Sequence, residues 1–155
     1  MPLTGRVDGD SEHNGNSITS GDDWLGQVAS AVMSGPDWRS TVLFITWDDC
    51  GCFYDQVRPG TNPDGTPQGP RVPMVIVSPW VRSGYTDSTH TTFAGVLAFA
   101  EATFGLQSLG ANDAGAYDFG SAFNFGQRPL PAVRMRHRPV PKGDHIRWSQ
   151  ARQDT

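Results

Sequence analysis

The chain has 155 residues, of which 18 are glycine, 12 are proline and only 18% are charged. This length is enough for one domain with a buried core, and the sequence contains neither a run of about 20 apolar residues that could span a bilayer nor the apolar core of a signal peptide. Residues 1–125 hold 14 acidic against 5 basic side chains, whereas residues 126–155 hold 2 against 7. The basic segment has no module that would indicate a nucleic-acid partner.

A first helix is predicted over residues 24–33. Ser20 precedes two aspartates, a pattern typical of a helix start because the hydroxyl caps free N–H groups and the carboxylates favour the positive end of the helix dipole. Trp24, Val28 and Val32 then share one apolar face. Gly35, followed by proline, ends the helix.

The next segment is a strand that ends in two carboxylates. Residues 42–47 form an apolar run with one threonine, which is typical of a strand buried on both faces of a parallel sheet. Asp48 and Asp49 follow, where sites form in open α/β sheets. Two carboxylates held close repel each other unless a proton or a cation lies between them, so the pair indicates a divalent metal ion. The alternative is a turn that carries two solvated aspartates.

Cys50 and Cys52 follow the aspartates. With one residue between them, they are poorly placed for a disulfide and supply at most half of a zinc site, so we interpret them as small residues in a tight turn. Residues 55–71 then form a long loop rich in glycine, proline and asparagine. Such long loops are uncommon unless they are functional, and we expect this one to border the site.

A second strand and a second helix come next. Residues 72–79 are again apolar and are predicted to be a strand. Residues 93–104 carry apolar side chains at helical spacing, with Thr91 or Thr92 as the cap and Gly105 as the stop. His90 lies just before this helix. It either faces the same crevice as the aspartates or is an exposed loop histidine.

The remaining sequence indicates that the fold is larger than its visible elements. The aromatic residues in 118–125 are expected to cover the outside of the core, and residues 126–155 form a basic tail expected to be extended or disordered. Ordinary sheets average about 5–6 strands, whereas only two are visible. We therefore predict an α/β fold in which residues 1–125 are the second half of a larger domain.

Short motifs along the chain occur in a recognisable order. They are Ser11-Glu12-His13; Gly21-Asp22 with Trp24; Trp38 with Ser40-Thr41; Phe44-Ile45-Thr46-Trp47-Asp48-Asp49 with Gly51 and Phe53-Tyr54-Asp55; Gly69 with Arg71-Val72-Pro73; Ser78-Pro79-Trp80; Gly84-Tyr85; and Phe99 with Glu101 and Phe104-Gly105-Leu106. Together they resemble the C-terminal part of the bacterial phosphoesterase family, which contains non-haemolytic phospholipases C and related acid phosphatases within the alkaline phosphatase superfamily. The resemblance covers about residues 11–125.

The resemblance implies a metal-dependent hydrolase of phosphate esters, of phospholipase C or acid phosphatase type, with an α/β/α sandwich and a mostly parallel central sheet. Asp48 and Asp49 correspond to the acidic metal ligands, and His13 and His90 to histidines that contact phosphate or metal. The implied cofactor is a divalent metal ion, and the implied substrate is a phospholipid or a small phosphomonoester. Members of the family are mostly extracellular or periplasmic.

Two departures from the family pattern bear on activity. Gln56 stands where the family usually has histidine, and glutamine cannot hold or move a proton in the same way. No serine or threonine here matches the family's nucleophile motif, which belongs to its N-terminal half. We therefore expect an incomplete half that lacks the nucleophile and whose partner is that N-terminal half. The alternative is a non-catalytic remnant that binds an anionic partner through residues 126–155.

Overall fold

The computed structural model of this protein describes Glu12, residues 17–48 and residues 54–138. His13, Asp49 and the two cysteines lie outside the described residues. The described residues divide into two compact units. The helical unit contains residues 17–36 and 132–138, and the sheet unit contains residues 37–48 and 54–131.

Helix α1, Ile18–Met33, forms the helical unit together with the segment after residue 131. Ser17 caps it, because its side-chain oxygen accepts the backbone N–H of Ser20 at 3.3 Å. The first helix is therefore confirmed, but it begins before the predicted start. Its last residue is followed by Ser34 as the C-cap, next to the predicted Gly-Pro stop.

The buried side of α1 is formed by glycine, alanine and one methionine rather than by the predicted apolar face. Trp24 and Val28 are 45% and 37% exposed. The buried positions are Gly21, Gly26, Ala29 and Met33. Burial of this side is made possible by glycine, since a backbone without Cβ lets another segment approach closely.

The described part of the basic tail contacts α1. Met135 lies over Gly26, whose Cβ, if it had one, would be 3.6 Å from the Met135 Cβ. Asp23 accepts the backbone N–H of Arg138 at 3.0 Å, and its other carboxylate oxygen lies 2.5 Å from Nδ1 of His137. Residues 135–138 are therefore held against the helix. The division into a domain over 1–125 and a tail over 126–155 stays a prediction.

The sheet unit contains two short strands, β1 (Leu43–Thr46) and β2 (Met74–Val77). They pair antiparallel, with Leu43 opposite Val77 and Thr46 opposite Met74. Both strands lie inside the predicted runs, and the combination of helices with a small sheet is compatible with the predicted α/β class. The parallel sandwich is not confirmed, because the two strands described here run in opposite directions. Apolar runs report burial, and burial alone does not specify strand direction.

Helix α2, Ala94–Phe104, packs beside this sheet through its valine and phenylalanine side chains. Thr92 supports its start by accepting the N–H of Ala94 at 3.3 Å. Gly105 ends it in the left-handed conformation (φ 66°), as predicted. Part of the predicted apolar face of α2 is exposed, with Leu97 at 38% and Phe104 at 73%.

The core of the sheet unit is aromatic. Phe119 and Phe123 are 4% and 5% exposed. The ring of Phe44 on β1 lies 5.0 Å from that of Phe99 on α2 and 5.4 Å from that of Phe119. Such edge-on and tilted pairs are favourable beyond the area that they bury. The expectation that residues 118–125 cover the outside of the core is therefore wrong for these two phenylalanines, which are at its centre.

Candidate functional site

The main concave surface of the sheet unit is a broad groove of about 1250 Å³. It is lined by the end of β1 at Thr46, by residues 74–76 of β2, by residues 67–72 of the long loop and by residues 81–94 before and into α2. Tyr117 and Phe119 also line it. The groove therefore borders the long loop that the sequence placed next to a site, and it also borders the connection that carries His90.

The sequence-predicted site residues lie at different places around the sheet. Asp48 is exposed and follows the end of β1 by two residues, and His90 is exposed on the wall of the groove. Because the strands are antiparallel, the carboxyl ends of β1 and β2 are at opposite ends of the two-stranded sheet. His90 and Thr46, at the end of the strand that precedes Asp48, line the same groove, and the prediction that His90 faces the crevice of the aspartates stays a prediction. His13 and Asp49 lie outside the described residues, and their roles stay predictions.

His90 belongs to a connection whose backbone is held by side chains from a distant turn. We call residues 87–95 the His90 segment and residues 117–121 the anchor turn. Asp87 accepts the hydroxyl of Tyr117 at 2.5 Å, the hydroxyl of Ser121 at 3.2 Å and the backbone N–H of Thr89 at 2.9 Å. The Tyr117 and Ser121 hydroxyls also contact each other.

These hydrogen bonds keep Asp87 ionised. The Tyr117 hydroxyl, followed by the Thr89 N–H, lowers the pKa of Asp87 to about 2 from 3.8. Burial, together with the adjacent Asp87 carboxylate, raises the pKa of Tyr117. The phenol therefore stays protonated and acts as the donor, as the geometry requires. Nothing in the sequence indicated this cluster, because its members are about 30 positions apart.

The long loop is closed by a different contact. The guanidinium of Arg71 donates to both carboxylate oxygens of Asp55 at 2.9 Å, and the backbone N–H groups of Arg71 and Val57 donate to the same carboxylate at 2.9 and 3.0 Å. The Arg71 side chain, ahead of these N–H groups, holds the pKa of Asp55 well below its usual range. Gln56, the departure from the family pattern, is exposed beside this pair.

A second pair of carboxyl groups lies after α2, away from the lining of the groove. Glu101 and Asp113 are 8% and 5% exposed. Burial, with Asp113 nearby, raises the pKa of Glu101. Burial also opposes ionisation of Asp113, but the N–H groups of Leu109 and Gly110, at 2.5 and 2.9 Å, outweigh it and lower that pKa. This pair closes the turn after the helix.

The described residues do not by themselves form a metal centre. Within residues 17–48 and 54–138, no three His, Cys, Asp or Glu side chains are grouped as a bound ion would require. Asp48 is the described member of the predicted ligand pair, so a complete ligand set would need residues beyond those described. In the same part of the chain, no helix is long and apolar enough to cross a membrane.

Comparisons with known proteins identify the relatives of this chain. It is 29% identical over 165 residues to the non-specific phospholipase C6 of Arabidopsis thaliana, an alignment that covers 86% of this chain and 32% of the relative. It is 32% identical over 120 residues to the non-hemolytic phospholipase C of Burkholderia pseudomallei, with coverage of 61% and 17%. It is 30% identical over 151 residues to phospholipase C B of Mycobacterium tuberculosis, with coverage of 79% and 29%.

The chain thus spans about a third or less of the length of these relatives. The sequence pattern described as "Phosphoesterase family" matches residues 5–107. This match includes β1, β2, α2 and both loops that border the groove. Because it covers well over half of the chain, the chain belongs to the phosphoesterase family.

Proposed function

We propose that this chain is the C-terminal part of a metal-dependent phosphoesterase of the phospholipase C or acid phosphatase type. Its substrate is a phosphate ester, either a phospholipid or a small phosphomonoester. The observation that carries the proposal is the family match over residues 5–107, combined with relatives whose names are phospholipase C. In this proposal the complete domain is an α/β/α sandwich with a mostly parallel sheet, to which β1 and β2 contribute.

The groove supports this proposal as the place where the ester lies. Its wall carries His90, and its lining combines apolar strand residues with polar loop residues such as Arg71. Ligand sites typically join an apolar surface with a few polar groups that orient the ligand. A phosphate group would be contacted here by the imidazole of His90. The guanidinium of Arg71 also lines the groove, where its charge is offset by Asp55.

The metal is proposed at Asp48 and Asp49, with His13 as a further site residue. A divalent cation at this place would offset the negative charge of the phosphate and polarise it. Two carboxylates and an imidazole suit several divalent ions, so the identity of the metal is open. The nucleophile is proposed to come from outside this chain, because no serine or threonine here matches the family's nucleophile motif.

The test is a hydrolysis and metal-binding experiment on the 155-residue chain. Release of p-nitrophenol from p-nitrophenyl phosphate and from p-nitrophenyl phosphorylcholine is measured with and without Mg²⁺, Mn²⁺, Ca²⁺ and Zn²⁺. Binding of the same ions is measured by calorimetry. The variant is Asp48→Asn, and the matched control is Asp64→Asn, which changes a loop aspartate of the same sheet unit that is held by Thr66 and Asn112.

We expect metal binding that is weakened by Asp48→Asn and retained in Asp64→Asn. Hydrolysis that follows the same pattern would mean that the chain assembles a whole site. Metal binding without hydrolysis would support a metal-binding part that lacks its nucleophile. Binding and hydrolysis that are both absent, or unchanged in folded Asp48→Asn, would overturn the assignment of the metal site.

A further inference from the structure

The His90 segment contacts the anchor turn at both of its ends. At the upstream end, Asp87 accepts hydrogen bonds from Tyr117 and Ser121. At the downstream end, Gly95 is buried against the same turn: a Cβ on Gly95 would lie 2.6 Å from the carbonyl oxygen of Tyr117 and 2.5 Å from the hydroxyl of Thr91. Glycine is therefore required there for close approach. His90 lies between two contacts to one turn.

The anchor turn is itself held in an unusual conformation. Among the described residues, Phe119 is the one non-glycine residue with a positive φ, at 58°. This conformation costs on the order of 1–3 kcal/mol and persists only where the surroundings enforce it. Here the enforcement comes from the core, since the Phe119 ring lies 5.4 Å from those of Phe44 and Tyr117. Packing against the core therefore fixes the conformation of the anchor turn that the His90 segment contacts.

The carboxylate of Asp87 is occupied by protein donors. One oxygen accepts the N–H of Thr89, and the other accepts both hydroxyls of the anchor turn. A carboxylate that already accepts three hydrogen bonds has little capacity left for a ligand. The exposed imidazole of His90, three residues further along the chain, is a better ligand contact. Asp87 therefore does not contact the ligand but holds the backbone that carries His90.

We infer that Asp87, Tyr117 and Ser121 are positioning residues, which hold the backbone on either side of His90 and present its imidazole to the groove. This inference rests on the proposed function, because it gives His90 a phosphate group to contact. Preorganisation matters at such a contact, since a displacement of about 1 Å can cost roughly a hundredfold in a catalytic step. The conformation of a loop histidine is otherwise free to vary.

The experiment is an NMR titration of the full chain with inorganic phosphate as the probe. The chain is labelled with ¹³C at histidine, and the His90 imidazole resonance is assigned with a His90→Asn variant. Phosphate is added to the wild type, to Asp87→Asn and to Tyr117→Phe, which keeps the ring packed on Phe119 and removes the hydroxyl alone. Asp64→Asn is the control, because it removes the same charge from a loop aspartate outside the groove lining.

We expect phosphate to shift the His90 resonance in the wild type and in Asp64→Asn. In Asp87→Asn and Tyr117→Phe the affinity should fall by about tenfold, while the amide spectrum of α2 is retained. Equal affinity in all four proteins would overturn the inference, and so would a His90 resonance that phosphate does not move in the wild type. Ser121→Ala, which removes one hydroxyl and no ring, gives the same readout if the larger changes prevent folding.

These outcomes are separate from those of the metal experiment. The proposed function fails when metal binding and hydrolysis do not depend on Asp48. The positioning role fails when the response of His90 to phosphate does not depend on the anchor turn. If one experiment gives the expected result and the other does not, the pair of results therefore identifies which of the two proposals is wrong.

Discussion

Two loops border the groove, and each is held by an aspartate with a lowered pKa, but the two contacts differ in their surroundings. The loop over residues 55–71 is closed by Asp55 and Arg71, an ion pair whose arginine side chain is 63% exposed and whose aspartate side chain is 9% exposed. The His90 segment is held by Asp87 through hydroxyl groups of the anchor turn, which is fixed by the aromatic core. The first contact joins two charged groups, one of them exposed, whereas the second joins a carboxylate to neutral hydroxyls that are held by packing.

This difference predicts which of the two loops opens more readily when the core is destabilised. An exposed ion pair can open while the rest of the fold is intact, because it is screened and holds two flexible side chains. A segment attached to a turn whose Phe119 is buried in the core is expected to open together with that core. Four predictions, from the largest expected effect to the smallest, test that contrast.

Removing the ring that fixes the anchor turn should have the largest effect. Phe119→Ala deletes a core side chain that is 4% exposed, and such changes cost about 3–5 kcal/mol. We expect that loss in the free energy of unfolding from urea denaturation. Phe125→Ala is the control, because the Phe125 ring is 71% exposed and stacks on Phe123 at 5.7 Å. Its cost in the free energy of unfolding should be about 1 kcal/mol. Equal costs would contradict the central position of Phe119.

Adding a side chain at Gly95, where the first turn of α2 contacts the anchor turn, should have the next largest effect. Gly95→Ala places a Cβ within 2.6 Å of the Tyr117 carbonyl oxygen, and overpacking typically costs about 1–3 kcal/mol. The matched change, Gly110→Ala, meets only Asp113 at 3.8 Å and should remain within about 0.5 kcal/mol of the wild type. Thermal unfolding of both variants measures the difference. If Gly95→Ala is as stable as Gly110→Ala, the segment is not held at its downstream end.

The sequence predicted the features that depend on residues within a single helix, strand or turn. Both helices, both strands and the stop at Gly105 follow from local pattern, because spacing and turn chemistry act over a few residues. Strand direction did not follow, since an apolar run such as β1 is compatible with either pairing. The burial of the Gly26 side of α1, rather than the Trp24 side, depends on which segment approaches the helix, and no local pattern specifies that.

The candidate site divides in the same way. Asp48 and His90 were found from their places after a strand and before a helix, although their joint role stays a prediction. The Asp87 cluster was missed because it joins residues far apart in the chain through side-chain hydroxyls. Tyr117 alone is a common residue with no characteristic spacing. Its role becomes visible only when Asp87 and Gly95 are seen to contact the same turn.

Acid should loosen the His90 segment in a defined pH range. The pKa of Asp87 is lowered to about 2 from 3.8, first by the Tyr117 hydroxyl. Its stabilising contribution is therefore complete above the unfolded-state value and is lost as the pH falls from about 4 to about 2. Because Asp87 is only half-buried, solvent screens this contribution, and we expect less than about 1 kcal/mol. A ¹³C titration of the Asp87 carboxyl group should show this midpoint, and Tyr117→Phe should move it upwards. An unchanged midpoint in that variant would remove Tyr117 as the main cause.

The smallest effect is expected at the exposed ion pair, and salt separates it from the hydroxyl contacts. The Debye screening length falls from about 10 Å at 0.1 M to about 3 Å at 1 M ionic strength. Added salt therefore weakens the ion pair of Asp55 and Arg71 more than it weakens the hydrogen bonds that neutral donors make to Asp87. Hydrogen exchange at the Val57 N–H, which Asp55 accepts, should therefore quicken with salt. Exchange at the Thr89 N–H, which Asp87 accepts, should change less. In Asp55→Asn, exchange at Val57 should be fast at every salt concentration, with only a small fall in melting temperature. Equal salt responses at Val57 and Thr89 would mean that both loops are held by charge in the same way, because screening weakens an ion pair more than it weakens hydrogen bonds from neutral groups.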